Sequence, residues 1–357
     1  MYPNTVQALT CILLMSAAVF TANQTAAQKP AAANQHSIIL PTGNKHIFRG
    51  DSENFYMFVY RQFEGVSSKP WTAGKYGFVR NIKRTEDGLI GTRFHEGIDI
   101  KPLNRDRSNR PLDKIMAIAA GTVAYTNTSP TRSNYGKYIV IEHHWSCGPI
   151  YSLYAHLSKL SVQQGQQVNQ GQTIGQMGYT GSGLNRERSH LHLELNLMVN
   201  KQFNEWHKKH RLGKNYHGMH NGMNMVGLDI AAFYIAQRRD NSLTIPRFVK
   251  SQQVYYKVTI PRTGIEKTMD ILARYPWLNH DAESSKSPSW EISLTASGFP
   301  VSILPSQRIV DSPRISSVKK CQSKHSYHTK GLLLGTGYRA SLSDRGKRFI
   351  ELLTGSF

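Results

Sequence analysis

Five residues within a hundred positions carry side chains suited to binding a metal ion or moving a proton: His95, Asp99, His156, His190 and His192. The sharpest local pattern is Ser189-His-Leu-His-Leu-Glu194. Leu191, Leu193 and Leu195 alternate there with polar residues, the period of a strand with one buried face. On a strand, His190 and His192 project from the same side, ~6–7 Å apart along the chain. A histidine pair of this kind is equally a polar face meeting solvent. His95 and Asp99 lie four apart in H-E-G-I-D. That spacing would place both on one helix face, but Gly97 and the β-branched Ile98 and Ile100 favour a loop entering a strand. Taken alone, H-x-x-x-D reads as a surface turn.

Imidazole and carboxylate are both zinc-ligand types, and a catalytic zinc takes three protein ligands and keeps a position for water. Two neutral imidazoles and one carboxylate leave a net positive centre, which acidifies bound water and polarises a carbonyl. There is no H-E-x-x-H, so Glu96 is not placed as the glutamate base of helix-borne zinc proteases. Proton transfer then falls to the remaining histidines, whose ordinary pKa of about 6.5 suits it.

The elements that must carry these residues are mostly short strands. Residues 115–125, 137–143 and 150–157 read as strands, the last bringing His156 to its end. Gly165, Gly171, Gly175 and Gly178 among Val and Ile mark tight hairpins. A turn, Thr180 to Gly183, and a basic loop, Leu184 to Arg188, lead to the histidine pair. Residues 40–199 are therefore expected to form a mainly β, predominantly antiparallel domain. Beyond Val199 the chain becomes basic and rich in His, Asn, Gly and Met. A short helix over 228–238, a strand over 253–260, a helix over 264–275, a loop over 278–290 and an amphipathic terminal helix over 342–353, with Ser343 as its N-cap, make residues 200–357 an α+β accessory region. No chemical motif stands out in it.

The chain has 357 residues, enough for one large or two ordinary domains, and 39% hydrophobic residues, enough for a core. Its formal net charge is +21, divided as +8 over residues 1–200 and +13 over 201–357. Such a field favours an anionic partner: nucleic acid, anionic lipid or an acidic polymer such as a bacterial wall. Residues 8–20, ALTCILLMSAAVF, have the length of a secretory apolar region and are short for a membrane span. Thr25-Ala26-Ala27 offers a cleavage signature before Gln28, although Met1 to Gln7 holds no Lys or Arg. A signal peptide over 1–27 and a linker over 28–39 are expected ahead of a retained anchor, because no other long apolar run exists. The mature chain should thus be exported without an integral membrane span. In an exported chain Cys147 and Cys321 could pair; otherwise they are two buried thiols.

The ordered series H-E-G-I-D-I, a Gly-rich β stretch, Y-A-H-L, V-x-x-G-Q-x-I-G-x-x-G-x-T-G and H-L-H-L-E resembles the lysostaphin-like, LytM-type zinc endopeptidases, over roughly residues 70–197. The resemblance implies that His95, Asp99 and His192 ligate one zinc ion (Zn2+) per chain. It implies that His190 acts as general base on the attacking water and that His156 is its partner in stabilising the oxyanion. It also implies an antiparallel sheet with an open groove, and a substrate in the stem peptides or cross-bridges of bacterial peptidoglycan, an anionic polymer. The sequence departs from the family between Ser182 and Ser189. That loop is longer, lacks Pro and carries Arg186, Glu187 and Arg188, so it should border the groove and bear on specificity. A second basic loop, between Lys101 and Asp113, is expected to line the cleft and meet carboxylates.

Three other readings compete. Family relatives that have lost ligands act as non-catalytic activators of wall hydrolases, but all five expected side chains are present here. His207, His210, His217 and His220 have the spacing of a second metal site, but their basic surroundings without Cys or carboxylate favour a solvated loop. Nucleic-acid binding rests on charge alone, without interleaved aromatics or a recognisable helical motif; no nucleic-acid partner is expected. The basic second half is better suited to gripping an anionic wall.

Overall fold

The strand that organises the molecule buries both of its faces. Leu191–Met198 is enclosed along its whole length, so its polar side chains, His192, Glu194 and Asn196, must find partners inside the protein. In the computed structural model, Met1 and residues 36–262, 269–279 and 287–357 are described. The signal peptide expected over 1–27, residues 28–35 of the linker, most of the loop expected over 278–290 and the start of the helix expected over 264–275 lie outside the described residues.

The strands that position the candidate site are β1 (Gly77–Thr85), β2 (Gly88–His95), β3 (Ile98–Ile100), β4 (Gly121–Asn127), β5 (Tyr138–Trp145), β6 (Gly148–Ala155), β7 (Gln167–Val168), β8 (Leu191–Met198) and β9 (Met225–Leu228). The main sheet runs β7-β4-β5-β6-β8-β9, with β3 also pairing to β8. Every pairing in it is antiparallel. β1 and β2 form a separate long hairpin whose base pairs Gly77 with His95 and whose far end pairs Thr85 with Gly88. Gly97, just after this hairpin, is required by packing: a Cβ there would lie 2.2 Å from the Leu193 carbonyl oxygen. Its absence lets the chain pass close over β8 and turn into β3.

The mainly antiparallel β architecture expected from the sequence is what forms, with one local correction. The apolar run 115–125 is not one strand. Lys114–Met116 joins a small three-stranded sheet, and Gly121–Asn127 joins the main one. Between them Ala117 bonds to the segment at Gly171 and Gln172, so the chain crosses from one sheet to the other.

Residues beyond Val199 are α+β, as expected, but richer in strands than their sequence suggests. Tyr256–Pro261 (β10), Ser289–Leu294 (β11), Pro300–Ser306 (β12) and Arg314–Val318 (β13) form a second antiparallel sheet in the order β12-β11-β10-β13. A helix over Ile230–Arg239 is capped by the Asp229 carboxylate, and the terminal helix Asp344–Thr354 by Ser343, whose hydroxyl accepts the Gly346 N–H at 3.0 Å. One continuous apolar core includes Leu195 and Leu197 of β8, Phe203, Tyr256 of β10 and Ile350 of the terminal helix. No helix among the described residues is long and apolar enough to cross a membrane.

Candidate metal centre

Strand register brings the five candidate residues together. His192 of β8 lies opposite Asp99 of β3 on one side and opposite Ala155 of β6 on the other. His156 follows Ala155 directly, and His190 precedes β8, bridged to Gly178. His95 arrives from the end of β2. Asp99 Oδ1 sits at the focus: His95 Nε2 and His192 Nδ1 are each 3.0 Å from it, and His190 Nε2 is 3.3 Å away. The two nearest ring nitrogens are themselves 3.0 Å apart. All five side chains are buried or nearly so.

The outer contacts decide which nitrogen carries a proton. A carbonyl oxygen only accepts, so His95 Nδ1–H donates to Lys75 O at 2.8 Å, His156 Nδ1–H to Thr180 O at 2.9 Å and His190 Nδ1–H to Arg188 O at 2.6 Å. Each of these rings therefore presents Nε2 inward. His192 has the opposite orientation: its Nε2–H donates to Glu194 Oε1 at 2.7 Å, leaving Nδ1 to face Asp99. Glu194 is fixed in turn by Tyr135 Oη at 2.6 Å and Asn196 Nδ2 at 2.9 Å. His156 adopts a left-handed backbone, φ 65°. That conformation is uncommon for a side-chain-bearing residue, and it is held by the ring's bond to Thr180 and by the His156 N–H to the Tyr135 carbonyl.

Two lone pairs and an anionic oxygen thus converge with no proton among them, an arrangement that requires positive charge at its centre. Burial opposes ionisation of Asp99, yet the neighbouring His190, His95 and Arg80 hold its carboxyl well below the usual range. Arg80 Nη2 reaches the other oxygen, Oδ2, at 2.5 Å. Burial pushes His95 and His156 down. Burial also disfavours charge on His192, but Asp99 and Glu194 outweigh it and would hold a proton there up to about 9. A divalent cation answers the same demand better, because it satisfies all three atoms at once. Two imidazole nitrogens and one carboxylate oxygen, each tied from behind, are a zinc-type donor set. Among the described residues, His95, Asp99 and His192 form a group able to hold a metal, their ligand atoms within 4.8 Å of one another.

The cluster opens into a groove of about 1430 Å³ that His156 and His190 also line, together with Ser182, Gly183 and Arg188 of the 182–189 loop and Lys330, Arg345 and Arg348 of the C-terminal region. The basic loop after Lys101 does not line it. Instead Arg105 fastens the 182–189 loop, donating to Ser189 Oγ at 2.6 Å and Arg186 O at 2.9 Å. The guanidinium spends its donors on carbonyls and a hydroxyl within the protein. The histidines at 207–220 do not converge. His207 packs on Phe203, His210 pairs with Glu351, and His217 and His220 lie against Tyr125. Cys147 and Cys321 are separate thiols, and the disulfide is not formed.

Sequence reasoning missed Glu194 and Arg80. Glu194 was within reach, since it continues the period-2 face of His190 and His192. Arg80 carries no local signal, because only the hairpin fold brings it to Asp99.

Residues 93–204 match the model of peptidase family M23, in keeping with the resemblance to LytM-type peptidases. Over 81 residues the chain is 36% identical to a lipoprotein NlpD/LppB homolog of Pseudomonas aeruginosa, covering 23% of this chain and 24% of that protein. Over 76 residues it is 42% identical to the peptidoglycan DD-endopeptidase ShyA of Vibrio cholerae, covering 21% of this chain and 15% of that one. The chain therefore spans less than a quarter of the length of either relative. The catalytic domain of lysostaphin from Staphylococcus simulans aligns at 26% identity over 34% of this chain and 75% of that chain, with a TM-score of 0.24.

Proposed function

We propose that the M23 region makes this chain an exported zinc endopeptidase that cleaves peptide bonds in bacterial peptidoglycan. The observation that carries the reading is the convergence of His95 Nε2, Asp99 Oδ1 and His192 Nδ1 at 3.0 Å from one another, with both rings' outer N–H groups already donated. These three atoms would hold the zinc. When bound, it supplies a Lewis acid that polarises the scissile carbonyl and lowers the pKa of a water.

The remaining steps belong to the chain's own residues. His190, its Nδ1–H tied to Arg188 O, presents a basic Nε2 at the centre and takes the proton of the attacking water. His156 presents Nε2 from the neighbouring strand end, its ring 4.8 Å from that of His190. With a second proton taken from solvent onto that Nε2, it would donate to the oxygen that gains charge as water adds. Glu194 keeps His192 in the one tautomer that faces Asp99. The cationic groove residues suit a substrate that carries carboxylates. The relative named as a peptidoglycan endopeptidase supports that substrate class.

Digestion of purified sacculi, with and without a chelator, followed by mass analysis of the released fragments, tests this. Chelator-sensitive products cut within the peptide are expected. A folded, zinc-loaded protein that binds sacculi and releases nothing would replace the enzyme by a non-catalytic activator of other wall hydrolases.

A further inference from the structure

The β1–β2 hairpin ends on a second cluster of metal-ligand side chains. Asp87 lies in the turn between β1 and β2. Its carboxylate, the Cys321 thiol and the His328 ring each offer one ligand atom within 4.8 Å of the others. Asp87 Oδ2 is 3.6 Å from His328 Nε2. His325 adjoins the set, with Nδ1 3.1 Å from Cys321 Sγ. Three of the four residues come from one short stretch, Cys321-x3-His325-x2-His328, whose histidines begin and end a single helical turn.

The chemistry of this set is that of a closed zinc site: thiolate, carboxylate and two imidazoles. The charges of one thiolate and one carboxylate cancel those of a divalent cation, which suits a place where Cys321 is buried and His325 fully enclosed. The surroundings already orient the donors. The Asp87 carboxylate accepts the Gln322 and Ser323 backbone N–H groups and the Ser323 hydroxyl, which keep it charged, well below the ordinary carboxyl range. Its Oδ1 has only the Gln322 N–H, at 2.9 Å, and so retains a lone pair. His325 is also held by the Gly337 backbone, an outer contact of the kind that fixes a ligating ring; the Tyr255 hydroxyl, 3.1 Å from the Nδ1 that would ligate, must move aside on loading.

We propose that Asp87, Cys321, His325 and His328 bind a second zinc-class divalent cation that staples the hairpin tip to the C-terminal region. On loading, the Cys321 thiol gives up its proton to solvent, and His328, whose Nε2–H now donates to the Ser323 hydroxyl at 2.8 Å, leaves that bond and carries its proton on Nδ1 instead. All four positions are filled by protein, so the site is structural. It fastens the far end of the two strands that carry Arg80 and His95. The proposal does not depend on the first centre being catalytic.

Titration of the metal-stripped full chain with Co2+ alone tests it. Two ions per chain are expected, with a near-ultraviolet thiolate-to-cobalt charge-transfer band. Cys321→Ser should lose the band and bind one ion; His192→Ala should also bind one ion but keep the band. His328→Ala, which retains the thiol, should bind one ion and shed most of the band. It decides the matter if Cys321→Ser does not fold. The unfolding temperature of the zinc-loaded wild type should fall on stripping, and by less in the Cys321 and His328 variants. Absence of a thiolate band in the wild type, or equal metal content in the wild type and His328→Ala, would overturn the proposal.

Discussion

One hairpin joins two clusters of metal-ligand side chains built in opposite ways. At its base, His95 meets Asp99 and His192, which face each other across paired strands in the interior of the sheet. At its tip, about 25 Å away at ~3.3 Å per residue, Asp87 meets Cys321 and His328, with His325 beside Cys321, on a turn and a single helical turn. The base cluster gains its precision from register and from carbonyls that fix each tautomer, and it opens into a groove with two further histidines to hand. The tip cluster gains its geometry from local loop bonds and includes a thiol. A site that must hold a reacting water needs the first kind of support, and a site that only holds two segments together can use the second.

Removing a donor from the base cluster should have the largest effect. His192→Ala is expected to abolish cleavage of sacculi, a loss beyond the ~10–100-fold that changes to outer partners cost, while circular dichroism stays native. A variant that still digests wall would break the assignment of His192.

A buried histidine without an anion provides the contrast next in size. His143 of β5 is fully enclosed, its Nδ1–H donated to Ala120 O at 2.8 Å and its Nε2 2.7 Å from Ser152 Oγ. Burial pushes its pKa down to about 4. The folded chain therefore refuses a proton that the unfolded chain accepts. This group's contribution is complete above pH ~6.5 and drains away as pH falls towards about 4, on the order of 3 kcal/mol in all. Urea melts from pH 7 to 4 should show a shallower loss in His143→Gln than in the wild type. Parallel curves would mean that this imidazole takes up its proton over the same pH range in the fold as in the unfolded chain.

The difference between the clusters also explains what the sequence disclosed. The β8 pattern of alternating leucines was legible because a strand's period is local, and it carried His190 and His192 with it. Glu194 belongs to the same pattern one step on. Asp99 was legible as a residue, and Gly97, Ile98 and Ile100 already favoured entry into a strand, but its register opposite His192 was not legible. The close pass at Gly97, where a Cβ would strike the Leu193 carbonyl, is what sets that register, and no window of sequence shows it. The split of 115–125 between two sheets depends on Ala117 bonding to residues 171–172, a contact absent from any window of sequence. Arg80 and Asp87 owe their partners to chain crossings of the same long-range kind. The tip cluster stayed hidden for a further reason: the histidines at 207–220 have the more regular spacing, yet the fold disperses them against Phe203, Glu351 and Tyr125.

The smaller effects lie one bond further from the base centre, and they should differ in sign. Glu194→Gln keeps an oxygen for the His192 Nε2–H but removes the charge that makes Nδ1 a stronger donor. Metal affinity should drop ~10-fold or somewhat more. Tyr135→Phe does the reverse. It deletes the 2.6 Å bond to Glu194 Oε1 while leaving Asn196 on Oε2, so the carboxylate pulls harder on the His192 N–H. Metal affinity should hold or rise a few-fold, while the fold loses about 1.5–3 kcal/mol with the charge-assisted hydrogen bond. Competition with a chelator of known affinity reads both variants on one scale. If Tyr135→Phe weakens metal binding as much as Glu194→Gln does, the tyrosine is shaping the site by packing, and the chain of bonds from Tyr135 through Glu194 to His192 is not what tunes it.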